Sequence, residues 1–190
     1  MEGVTKLNLE FISSWNFIRL SGFLAYFLLT ISLAAGLAGR MAGLQKKKPL
    51  MMTLHQTSGW AGFLTIIFHI ILLWKDEYVP YTLLELLAPF SAQNAPILSA
   101  FGTISFYLFL ITIAASDFFM RTLGRKLWKT LHFLVIPAWA LMVLHGLLIG
   151  TDSTQPWAAF LYGGGVILLF TLLALRYAET KLQPAAKSSS

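Results

Sequence analysis

TLHQTSGWAGFLTIIFHIILLW, running from Thr53 to Trp74, is the stretch on which the reading of this chain turns. It holds no Asp, Glu, Lys or Arg, and at 1.5 Å per residue it is long enough to cross the roughly 30 Å of hydrocarbon in a bilayer. Four runs of the same kind accompany it, at Phe17–Gly39, Pro96–Ser116, Leu127–Gly150 and Trp157–Tyr177. The composition agrees: 57% of the 190 residues are hydrophobic and only 22 carry a formal charge (14 Lys+Arg, 8 Asp+Glu), where a soluble domain is about a quarter charged. A water-soluble globule and a disordered chain are both excluded. The sequence predicts an all-α fold, a polytopic membrane helical bundle of about five transmembrane helices. One domain covers residues 17–177, after an interfacial segment over 1–16 and before a cytoplasmic tail over 178–190.

Charge placement sets the orientation. Arg40 and Lys46–Lys48 follow the first run, Arg121, Arg125, Lys126 and Lys129 follow the third, and Arg176, Lys181 and Lys187 follow the fifth, which is eleven of the fourteen basic residues. The other connections hold Lys75, Asp76, Glu77, Glu85 and Asp152, so the positive-inside rule predicts the N-terminus outside and the C-terminus in the cytoplasm. The net charge of +6 therefore reports topology in a plasma or inner membrane, with lipid as the partner and no nucleic acid. Glu2 and Glu10 against Lys6 argue against a cleavable signal peptide. The Leu83–Leu87 patch between Pro80 and Pro89 is too short to cross and is placed along the outer interface, and the tail after Gln183 is expected to fray. The absence of Cys removes disulfides, thiolate metal sites, Fe–S clusters and thioether-linked haem.

All four histidines fall inside two of the runs: His55 and His69 in the second, His132 and His145 in the fourth. Ionisable groups at membrane depth are functional candidates. The first pair is fourteen residues apart, about 21 Å of rise with only about 40° of rotational mismatch, so both rings face one way. The second pair is thirteen apart, which leaves the rings about 140° out of phase in a straight helix; Pro137, between them, is expected to correct that phase through a kink. Both runs point the same way through the membrane, so His55 matches His132 in depth and His69 matches His145. No Asp, Glu or Cys sits at these depths to complete a tetrahedral zinc site, whereas haem iron brings four nitrogens of its own and asks for two axial imidazoles. The stripe through His55 reads Ser58, Gly59, Gly62, Thr65, His69, and its small residues leave a slot for a flat macrocycle or for a neighbouring helix. Haem propionates want cations: Arg125 and Lys129 near His132, with Lys126 beside them and Lys46–Lys48 before His55, and Arg19 on the outer side, where basic residues are scarce. Trp139, midway between His132 and His145, is a candidate spacer between two haems or plain core, and Gly163–Gly165 are expected to allow close helix approach.

Paired H-x13-H and H-x12-H spacings on two parallel helices resemble the ferric reductase-like transmembrane domain. That family includes NADPH oxidases, iron-chelate reductases and the haem subunit of the periplasmic methionine sulfoxide reductase system. The resemblance spans about Ile18 to Tyr177. It implies haem b at two levels: iron held by His55 and His132 on the cytoplasmic side, and by His69 and His145 on the outer side. It also implies electron flow from a cytoplasmic donor to an acceptor outside. The larger members carry one more N-terminal span and a flavin and nicotinamide domain; no Gly-rich dinucleotide fingerprint occurs in this sequence. The expected donor is therefore a separate flavoprotein reductase or a membrane quinol, and the expected acceptor a ferric chelate, oxygen or an extracytoplasmic redox partner.

On this reading the chain is a haem-containing oxidoreductase subunit with no catalytic side chain of its own. Two rivals come from other classes. A proton or metal transporter that uses the histidines predicts colourless protein, and a non-catalytic assembly subunit predicts that the histidines are dispensable. A single-haem member lies between them, because the second pair is out of phase.

Overall fold

The computed structural model describes residues 14–187, with side chains to 182, and among these it is helical with no strand. What was expected of residues 1–16 falls, up to residue 13, outside the described residues, as do Ser188–Ser190. The helices are α1 (Ser14–Ala38), α2 (Lys48–Trp74, entered through a 3₁₀ turn over Ala42–Lys47), α3 (Leu83–Leu87), α4 (Pro96–Asp117), α5 (Met120–His132), α6 (Val135–Ile149) and α7 (Pro156–Lys187). Five stretches are long and apolar enough to cross a membrane: Ser14–Ala38, Ala42–Trp74, Pro96–Asp117, Met120–Ile149 and Pro156–Leu182. The protein is a multi-pass membrane protein, and these stretches coincide with the five expected from hydropathy.

Its packing is that of a protein dissolved in lipid. Large apolar side chains such as Leu20, Phe160 and Ile167 are exposed, while Ala100, Ala138, Ala158 and the hydroxyls of Ser21, Ser32 and Ser105 are buried. Lipid tails are as apolar as Leu, so helices associate through small residues and hydroxyl bonds. Ser105 on α4 shows this, donating to the Ala138 carbonyl of α6 at 2.8 Å.

The chain divides into two compact units. One holds the described residues up to Tyr26 together with Phe63–Ser153, the other Phe27–Gly62 together with the described residues from Thr154 onward. In the first unit, the fourth crossing is two helices. Leu134 N–H bonds the Leu131 carbonyl at 3.1 Å and Ile136 N–H the Phe133 carbonyl at 3.1 Å, both three-residue steps. Pro137 has no N–H for the Phe133 carbonyl, and Ile136 supplies one instead. Each 3₁₀ residue turns about 120° where an α residue turns about 100°, so the break rotates His145 in the direction the sequence required. Within α5, Gly124 has φ +71°, a region open to glycine, and splits off the first turn.

The Leu83–Leu87 patch is a five-residue helix held by a capping box. Thr82 N–H and Oγ1–H donate to Glu85 at 2.9 and 2.8 Å, and Gln93 N–H donates at 3.1 Å. These donors, the Thr82 amide foremost, hold the Glu85 carboxyl below its ordinary value.

Two expectations are corrected in the second unit. The tail continues as helix through Pro184 to Lys187. α7 is tied down by Arg176, which donates to the Arg40 carbonyl at 2.7 Å, and by Glu179, which accepts from Ala42 N–H at 3.2 Å. Of Gly163–Gly165, expected to permit close helix approach, the first two do not bear this out, since a Cβ added to Gly163 or Gly164 would meet nothing within 4 Å, while Gly165 is buried.

Candidate functional site

Each histidine rests against a preceding helix through its Nδ1 atom. In the first unit, His69 on α2 places Nδ1 3.0 Å from the Ile18 carbonyl of α1 and 3.0 Å from Ser21 Oγ, whose own hydrogen goes to Ile18. His145 on α6 places Nδ1 2.8 Å from the Leu98 carbonyl of α4. His132, at the end of α5, places Nδ1 3.1 Å from Ser116 Oγ, also on α4. In the second unit, His55 places Nδ1 2.9 Å from the Ser32 carbonyl and 3.1 Å from Ser32 Oγ.

The chemistry follows from what a carbonyl can do. It only accepts, so Nδ1 of His55, His69 and His145 must carry the hydrogen, and a neutral imidazole then has its lone pair on Nε2. At His132 the Ser116 hydroxyl is committed as donor to the Thr112 carbonyl at 2.8 Å, so it too accepts from Nδ1–H. Orientation of a ligating imidazole by a bond from its other nitrogen is the arrangement that fixes tautomer and ring plane at metal sites. Among the described residues no three His, Asp or Glu side chains converge. Each of these imidazoles presents an oriented Nε2 lone pair that can serve as one ligand to a metal.

Trp128 is a feature the sequence reading missed. Its ring stacks on the His132 imidazole, centroids 5.3 Å apart and planes 25° apart, and its Nε1–H is buried with no partner. A buried orphan donor beside a histidine marks a place where an acceptor from outside the chain belongs. Ser21, Ser32 and Ser116 were missed as well. Their signal was available, since a hydroxyl inside an apolar span must find an acceptor.

The remaining candidates divide. Arg125 and Lys129 are exposed on α5, free of ion pairs among the described residues, with Lys129 Nζ 6.0 Å from the Phe133 ring centroid. Arg19 is not a free cation: its guanidinium pairs with buried Asp152 and donates to Asn16 Oδ1 at 3.4 Å. At Gly59 and Gly62 the small stripe receives α1 rather than standing open. A Cβ at Gly59 would lie 3.0 Å from Ser32 Oγ, and one at Gly62 2.7 Å from Leu29 Cγ. Trp139 is buried core in the first unit, stacked on Tyr26 at 6.2 Å.

Comparison with known families gives a match over most of the membrane-spanning region. The sequence model described as the ferric reductase like transmembrane component fits residues 21–143, well over half of the chain, including His55, His69 and His132; His145 lies two residues beyond. No curated protein and no solved structure matches.

Proposed function

Since this chain belongs to the ferric reductase-like transmembrane family, whose general role is electron transfer across a membrane, we propose that it carries electrons through two haem b groups. His55 with His132 would hold one and His69 with His145 the other. The observation that supports this most is the common setting of the imidazoles: each directs Nδ1–H at an oxygen of a preceding helix, which orients Nε2 for a metal. Haem iron ligated by two imidazoles supplies a one-electron ferric/ferrous couple with a full coordination shell, suited to relaying electrons and not to binding substrate.

The chain's own residues set position and surroundings. On α2 the two histidines are about 21 Å apart along the helix, one near each end of the crossing. Trp128 offers its buried N–H, and Arg125 and Lys129 their charges, to the carboxylates of the group at His132. Arg19 acts indirectly, its pair with Asp152 fixing α1 where Ile18 meets His69. Gly59 lets α1 approach so that Ser32 reaches His55. By the charge rule His55 and His132 face the cytoplasm of a plasma or inner membrane, where a flavoprotein or quinol would donate; a ferric chelate, oxygen or redox protein outside would accept.

The test is optical. Full-length protein made with ample haem supply is expected to show a Soret band and two haems per chain, and replacement of all four histidines by Ala is expected to abolish it. Colourless protein would favour the transporter reading. A band that survives the quadruple replacement would remove the histidines from the site.

A further inference from the structure

We infer that the histidines are held by one cradle used four times, a backbone carbonyl at residue i with a gap at residue i+4, and that Ser116 is where this cradle works through a hydroxyl. The inference rests on the haem reading above and says which residues orient the ligands.

In a helix, the side chain of residue i+4 leans back over the turn before it and so covers the carbonyl of residue i. A ring can reach that carbonyl only where the cover is missing. The contacts repeat this relation. Ile18 accepts from His69, and Gly22, four residues on, has its absent Cβ 3.5 Å from His69 Cε1. Ser32 accepts from His55, and a Cβ on Gly36 would lie 3.0 Å from His55 Nδ1. Leu98 accepts from His145, and a Cβ on Gly102 would lie 2.9 Å from both Cε1 and Nδ1 of that ring. The fourth case substitutes rather than breaks the pattern. The carbonyl is Thr112, residue i+4 is Ser116, and the Ser116 hydroxyl passes the bond on, accepting from His132 Nδ1–H at 3.1 Å and donating to Thr112 at 2.8 Å.

The spacing makes chance an inadequate account. Gly22 and Gly36 are fourteen residues apart on α1, the same step as His55 to His69 on the antiparallel α2. Gly102 and Ser116 are fourteen apart on α4. Small residues alone would show only close packing; here each faces an imidazole whose Nδ1 is bonded to an oxygen of the same turn. Gly22, Gly36, Gly102 and Ser116 are therefore positioning residues for the ligands.

Ser116 allows a substitution series with opposite expected signs. Glycine at 116 removes the relay but uncovers the Thr112 carbonyl, recreating the cradle of the other three. Alanine covers that carbonyl and offers no acceptor. An imidazole that loses its Nδ1–H bond is a poorer donor to ferric iron. In full-length protein, Ser116→Ala is expected to raise one of two midpoint potentials by a preference change of up to about tenfold, or about 59 mV for one electron, while Ser116→Gly stays near wild type. In parallel, haem per chain is expected to fall from two toward one in Gly102→Ala and in Gly36→Ala, and to stay at two in Gly22→Ala, whose added methyl makes an ordinary contact. Equal potentials in all three proteins, or equal damage from Ala and Gly at 116, would overturn the relay. Equal loss, or equal retention, at Gly102 and Gly22 would overturn the cradle. If wild-type protein holds two haems lost with the histidines, such results refute the cradle alone; if wild-type protein holds none, the haem reading fails and takes the cradle with it.

Discussion

Replacing Asp152 with Asn tests whether one ion pair holds the two sides of the His69/His145 site together. Arg19 follows Ile18, whose carbonyl holds His69, and Asp152 stands three residues beyond α6, which carries His145. The pair thus ties the element orienting one ligand to the element bearing the other. Asn keeps the shape of the side chain and an oxygen that accepts from the guanidinium, and removes only the charge, so the change isolates the ionic part of the contact. Breaking a fully buried pair destabilises by about 3–5 kcal/mol and an exposed one by about 0–1 kcal/mol. Asp152 is 11% exposed at its side chain and Arg19 35%, so solvent screens one partner only. The expected loss lies between these limits, about 1–3 kcal/mol, equivalent to about 5- to 150-fold in an equilibrium. Unfolding by heat or denaturant in detergent, with haem transfer to excess apomyoglobin as a second readout, would measure it. Arg19→Gln and the double variant complete a cycle in which a coupling of at least about 1 kcal/mol is expected. A wild-type Asp152→Asn, or single losses that simply add, would refute the tie.

Four further outcomes follow from the same contacts. Trp128→Phe keeps the stacked ring and removes the orphan N–H, and should speed haem loss from the His132 site about tenfold, the worth of a hydrogen bond of about 1–1.5 kcal/mol; an unchanged rate would mean that the N–H meets nothing bound. The Glu85 carboxyl is held below its ordinary value of 4.5, so its capping contribution is complete above that pH and fades as pH falls through the lowered value. Hydrogen exchange at the Gln93 amide, corrected for intrinsic rate, should show protection lost there, and Glu85→Gln should remove the pH dependence. Gly62→Ala drives a methyl against Leu29, about 1–3 kcal/mol of overpacking set against about 1 kcal/mol of helix propensity, whereas Gly164→Ala gains the propensity without a clash; unfolding midpoints should move in opposite directions. Pro137→Ala should let α5 and α6 join as one helix and lower occupancy at His145, and one Ala inserted after Phe133 in that background should restore it; retention of two haems by Pro137→Ala alone would contradict this.

The spans were legible because lipid demands about twenty apolar residues in a row, a signal each stretch carries alone. The histidine phase was legible as a problem: thirteen residues do not close on α turns, and Pro137 marked where a remedy could lie. The site of the remedy was not, since the break falls at Phe133–Leu134, where proline acts on the turn before it. Arg19 was read by its neighbours on the outer side, but its partner lies 133 residues away and no local pattern announces Asp152. Gly59 and Gly62 were ambiguous for a physical reason, since a small side chain clears room for a macrocycle and for a helix alike. In the structure both positions lie against α1, at Ser32 and Leu29. The acceptors of three histidines are backbone oxygens, which every residue has, so sequence could show only the missing covers at Gly22, Gly36 and Gly102.

Register explains why one histidine pair is fourteen apart and the other thirteen. Each holding helix immediately precedes its ligand helix, α1 before α2 and α4 before α5 and α6, and consecutive helices with short connections lie antiparallel. Equal steps then keep contacts aligned: fourteen residues on α1 meet fourteen on α2. On α4, the step from Leu98 to Thr112 is again fourteen, about 21 Å of rise, while His132 to His145 in pure α form would rise only about 19.5 Å. The 3₁₀ step closes the gap. At about 2.0 Å per residue in place of 1.5 Å, about three residues in this form lengthen the segment by about 1.5 Å, one α residue's worth. The break thus supplies the missing rise in full and part of the missing rotation, and both rings reach α4. The ruler for both pairs is the holding helix, and the irregular backbone beside Pro137 is how a ligand helix one residue short is fitted to it.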